Sequence, residues 1–166
     1  MAYNDNVKQT PAGFLKLISI IHLALLGGQM VFGIVAFAQS TKMYFDIKNN
    51  GDPFIFIAPL LAIGGIVAGN LIFKQLLIAL ESKVSLSEKM MGYQTALIIR
   101  FALLEGPSLF GIVAYMISGN LFFLAITVML MLYFLSLRPT KDKMENDLNL
   151  GFEEKMDFLF EDEAIK

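Results

Sequence analysis

Four long apolar stretches separated by short polar ones make up most of the chain: residues 14–38, 54–81, 93–117 and 121–137. Charges are few inside them. A helix needs about 20 consecutive apolar residues to cross a hydrocarbon core roughly 30 Å thick. The first three stretches reach that length easily, and the fourth only just. The pattern predicts an all-α, polytopic membrane protein with four transmembrane helices. It places a cytoplasmic N-terminus over 1–13, the four-helix domain over 14–138 and an acidic cytoplasmic tail over 139–166. The first stretch has some features of a secretory signal, since Lys8 and Lys16 precede it and Ala36-Phe37-Ala38 has the small-residue form of a cleavage site. Its apolar run is longer than the roughly 7–15 residues of a signal core, so it reads as a retained helix.

Positive residues near helix ends decide how such a chain is threaded. If the helices alternate in direction, Lys8, Lys16, Lys74, Lys83, Lys89, Arg138, Lys141 and Lys143 fall on one side. Only Lys42 and Lys48 fall on the other. This bias puts both termini and the 82–92 loop in the cytoplasm, in a plasma or inner membrane. The 39–53 loop and the Ser118-Gly119-Asn120 turn then face outward.

The stretches are not independent. Residues 20–40, IIHLALLGGQMVFGIVAFAQS, align without a gap to 98–118, IIRFALLEGPSLFGIVAYMIS, with twelve of twenty-one positions identical. Leu and Ile matches arise easily among apolar helices. The block Phe32-Gly33-Ile34-Val35-Ala36 against Phe110-Gly111-Ile112-Val113-Ala114 is more telling, because its Phe and Gly residues stay in register. The repeat predicts a duplicated helical hairpin, first and second stretches then third and fourth, both starting from the cytoplasm, as parallel repeats in other membrane proteins do.

Small residues let membrane helices approach closely. Ala24 and Gly28 are four apart, as are their repeat partners Ala102 and Gly106, and Ala58, Ala62, Gly65 and Gly69 share one face of the second stretch. The fourth stretch lacks such a stripe. The expectation is a core of the first three helices with the fourth facing lipid, or alternatively a second-stretch stripe that packs on another subunit.

Composition excludes several functions. The 166 residues are 56% hydrophobic and only 17% charged, against about a quarter charged in a soluble domain. The net charge of −2 hides a split: from Asp142 onward nine acidic residues face three basic ones, −6 in all, leaving +4 upstream. No basic face exists to neutralise nucleic-acid phosphates. Cysteine is absent, and a single histidine, His22, makes neither a metal cage nor a pair of haem ligands. No nucleophile–base pair, phosphate loop or dinucleotide fingerprint is visible. The chain therefore reads as non-enzymatic, with no catalytic residue, metal or cofactor.

Glu105 stands apart. It lies midway along the third stretch, near the bilayer centre, where a charge costs at least ~2.5 kcal/mol on insertion scales. A carboxyl at that depth is expected to be held neutral. The repeat has Gly27 at the matching position, so the fold itself does not require the acid. Pro107 frees the carbonyl of Leu103 from the helix ladder, giving a protonated Glu105 an acceptor, and Ser108, one turn on, is a second candidate partner. An acid so placed binds an ion, with Ser108, or ties helices or subunits together. Arg100, His22 and Lys74 lie closer to the cytoplasmic interface, within snorkelling reach. Asn70 and Gln75 are placed to hydrogen-bond across helices.

In the tail, Leu148, Phe152, Met156, Leu159 and Phe160 recur at helical spacing with acids on the other face. Anionic lipid would repel such a helix. Its apolar anchors fit a groove on a protein, so a protein partner is expected at the cytoplasmic face as well as in the membrane.

The stretches AIGGIVAG (62–69) and ALIIRFALLEGPSLFGIVAY (96–115), joined by a polar loop, resemble the hairpin of the proteolipid, or c subunit, of rotary ATP synthases. The resemblance covers residues 58–117. It implies an ion-binding carboxyl at Glu105 and an ion-handling function, H⁺ or Na⁺. The loop, SKVSLSEKMM, differs from that family's stalk-docking signature, and the acid falls in the third of four helices. The leading expectation is therefore a small integral membrane subunit or accessory of a larger complex, and ion handling is the alternative.

Overall fold

The computed structural model describes residues 11–48, 51–83 and 85–151. Among the described residues the chain forms five helices and no strand: α1 (Pro11–Gln39), α2 (Phe54–Glu81), α3 (Leu86–Ser118), α4 (Leu121–Ser136) and α5 (Lys141–Asp147). Three of them, α1 to α3, are long and apolar enough to cross a membrane. α4 has 16 residues, about 24 Å at 1.5 Å per residue, and is followed after an 81° bend by α5.

The boundaries follow local chemistry. α3 ends at Gly119, whose φ of +76° suits a left-handed cap, with its N–H returning to Tyr115 O. Asn120 then caps α4, its side chain accepting from Phe122 N at 3.1 Å. The same side chain accepts from Asp46 N and donates to Asp46 O, while Tyr44 exchanges backbone bonds with Gly119 and Leu121. The segment after α1 is thus strapped across the α3–α4 turn. α3 begins at Leu86, seven residues ahead of the apolar stretch that marks it in the sequence. Most of the expected 82–92 loop is therefore helical.

α3 is the centre of the bundle, with α2, α4 and α1 each packed on it. Glycines set the close approaches. A Cβ on Gly65 would lie 2.5 Å from Leu103 O and 2.9 Å from Pro107 Cγ, so α2 and α3 touch backbone to backbone there. A Cβ on Gly111 would strike Thr127 of α4. α1 runs parallel to α3, since His22 lies beside Phe101 and Gly33 beside Ile112.

Two expectations change. α4 does not simply face lipid: Phe123, Thr127, Leu130 and Phe134 are buried, because Gly111 lets the helix settle into α3. The first hairpin does not close either. α1 packs on α3 and α4 and barely touches α2, since the long 40–53 connection, tied down at Asn120, lets the two helices diverge. Two apolar clusters fill the bundle. One, around Ile112, Tyr115 and Phe123, lies at the α3–α4 turn; the other, around Phe14, Tyr93 and Phe101, lies at the opposite end. α5 closes that second end, with Met144, Leu148 and Leu150 buried against it.

Candidate functional site

Glu105 is half-buried on α3, and it makes no hydrogen bond or ion pair with another described residue. The geometry does not bring it to the partners the sequence suggests. Ser108 is buried with its Oγ unbonded, and its carbonyl accepts from Thr127 Oγ1 at 3.1 Å. The Ser108 hydroxyl therefore makes no bond to the acid. The Leu103 carbonyl that Pro107 frees lies against Gly65 of α2. Glu105 belongs instead to a stripe with Ile98, Ala102, Leu109, Val113 and Met116, the side of α3 that α2 and α4 leave uncovered.

The small residues divide in two. Ala58, Ala62, Gly65 and Gly69 are buried, and Gly65 and Gly69 meet α3 of the same chain. Ala24, Gly28, Ala102 and Gly106 are exposed, and nothing lies within 4 Å of a Cβ built on Gly28 or Gly106. The second group lies outside the internal contacts, because α1 and α3 meet through His22 with Phe101 and Gly33 with Ile112 on other faces.

A polar cluster occupies the α5 end. Arg100 donates to Asn70 Oδ1, and its guanidinium carbon stands 4.5 Å from the centre of the Phe73 ring. Asn70 in turn bonds Tyr133 of α4 at 2.9 Å. Tyr93 donates to Asp147 Oδ2 at 2.9 Å. Arg100, Asn70, Phe73 and Asp147 border a cavity of about 510 Å³ between α2, α3 and α5, which Lys74 and Glu81 also line. Lys74 and Gln75 are exposed.

His22 does not snorkel. It is fully buried, its Nε2 lies 2.9 Å from Phe134 O, and its ring stacks on Phe134 at 4.6 Å. A carbonyl only accepts, so Nε2 carries the hydrogen and the ring ties α1 to α4. Leu148 is buried in this chain's own core, so it is not free for a partner; Phe152, Met156, Leu159 and Phe160 lie outside the described residues. Sequence reasoning missed Tyr133, Tyr93 and Asp147. The available signal was two tyrosine hydroxyls among apolar residues, each needing a partner once buried. No known protein family, curated protein or solved structure matches the chain.

Proposed function

We propose that the protein is a non-enzymatic membrane subunit that holds a partner's transmembrane helix along the open side of α3, with Glu105 as the polar anchor. In this reading α1 to α4 all span the membrane, α4 as a short fourth crossing, with both ends in the cytoplasm of a cell bounded by a plasma or inner membrane. The observation that carries it is a membrane-depth carboxyl without a partner among the described residues, beside exposed Ala102 and Gly106. An intramembrane acid is expensive unless paired, and small residues allow a second backbone to approach. The complementary partner is a helix presenting an Arg, Lys or other donor at the same depth.

Site-directed photo-cross-linking tests this reading. A cross-linker at Gly106 should give one discrete protein adduct, and one at Leu132 on the outer side of α4 should not. Glu105→Gln keeps a hydrogen-bonding group and should keep the adduct, whereas Glu105→Leu should lose it. Adducts only to lipid, or an adduct indifferent to Glu105→Leu, would refute the docking role. Ion handling, as the proteolipid resemblance implies, makes a different prediction: carbodiimide labels Glu105, sodium or high pH suppresses the label, and Glu105→Gln abolishes function while assembly persists.

A further inference from the structure

The cavity between α2, α3 and α5 brings two cations and two carboxylates together in about 510 Å³. Lys74 and Arg100 supply the positive charge, Glu81 and Asp147 the negative. Arg100 is fixed from two sides, by its bond to Asn70 and by the Phe73 ring. Arg100 also lines the cavity, so its guanidinium brings a fixed positive charge to the cavity wall. Asp147 is held through Oδ2 by Tyr93.

Charge balance narrows the ligand. A simple anion would be drawn to Arg100 and Lys74 but repelled by Asp147 and Glu81, and a simple cation meets the reverse objection. A molecule with phosphate at one end and ammonium at the other satisfies both pairs. The cavity also has apolar wall: Leu77 and Ile78 line it, and Ile78 is 65% exposed on the outer side of α2. An acyl chain leaving the cavity on that side would run along apolar surface.

We propose that this cavity binds a phosphoethanolamine group, presented by phosphatidylethanolamine, with the phosphate between Arg100 and Lys74 and the ammonium between Asp147 and Glu81. This site is separate from the Glu105 stripe and does not rest on the docking reading. It is recognition of a lipid headgroup by paired charges, where juxtamembrane basic clusters select anionic lipid by charge alone.

The test is native mass spectrometry of the full chain in detergent, titrated with phosphatidylethanolamine, phosphatidylcholine, phosphatidylglycerol or soluble phosphoethanolamine. Phosphatidylethanolamine should bind at least about tenfold more tightly than the other two lipids, the worth of one charge-assisted hydrogen bond. Phosphatidylcholine has no ammonium hydrogen to donate, and phosphatidylglycerol no ammonium. Glu81→Gln should shrink that preference, and Lys74→Gln should weaken all three lipids. Both residues lie at the helix surface, and unchanged melting of the lipid-free variants would show that folding is intact. Soluble phosphoethanolamine binding as tightly as the lipid would support the charge pairing and assign the ligand to the aqueous phase. Equal binding of the three lipids, a preference for phosphatidylglycerol, or a preference untouched by Glu81→Gln would overturn the proposal.

Discussion

Gly64 and Gly65 are adjacent in sequence and opposite in surroundings. Gly64 has open space where a Cβ would stand, whereas Gly65 is closed by the Leu103 carbonyl. Gly65→Ala should therefore force α2 and α3 apart and lower stability by about 1–3 kcal/mol. Gly64→Ala should leave stability unchanged or raise it by up to about 1 kcal/mol, the helix-propensity difference. Thermal unfolding of the two variants in the same detergent checks both. His22→Phe keeps a stacked ring but gives up the bond to the Phe134 carbonyl, which still accepts from Leu137 N at 3.0 Å, so a loss of about 0.5–1.5 kcal/mol, the net worth of one hydrogen bond, is expected. The small-residue positions were legible in the sequence as a pattern. Which of them pack internally was not, because Ala24-Gly28 and Ala58-Ala62 have the same spacing and only the partner helix distinguishes them. Glu105 was legible as an anomaly of depth. That the Ser108 carbonyl takes a bond from Thr127 was not, since that bond comes from a helix whose packing the sequence left open.

At the level of elements, an apolar stretch marks what lies in hydrocarbon and not where a helix ends. α3 starts at Leu86 because its first turns, with Ser87, Glu88 and Lys89, continue the helix beyond the apolar stretch. The all-helical character and the membrane-length spans could be read from the length of the apolar runs. The placement of α4 could not, because it is apolar all round and shows no preferred face. α5 escaped notice for the opposite reason: seven residues with a single buried anchor, Met144, carry too little periodicity. Its attachment is specific, however. Tyr93→Phe deletes the hydrogen bond to Asp147, so amide exchange across 141–150 should speed up while exchange in the centre of α3 stays unchanged. A uniform effect on both would show that the bond does not act on α5 locally.

Across the whole molecule, the repeat-related helices α1 and α3 lie side by side, whereas α1 and α2, consecutive in the chain, hardly meet. The sequence contains no cysteine, so engineered pairs report without background. Gly33→Cys with Ile112→Cys should cross-link through a short bis-maleimide, and Ala24→Cys with Ala68→Cys should not. The bundle is also uneven in height. α4 rises about 24 Å and α3 about 50 Å at 1.5 Å per residue, so with α4 as the fourth crossing proposed above, lipid on its flank would meet a wall roughly half as tall as the core of the protein. A bilayer accommodates such mismatch by thinning or by tilting its guest. Chain length of the surrounding acyl groups would therefore bear unequally on the two sides, and a thick, sterol-rich or long-chain membrane would strain the α4 side first.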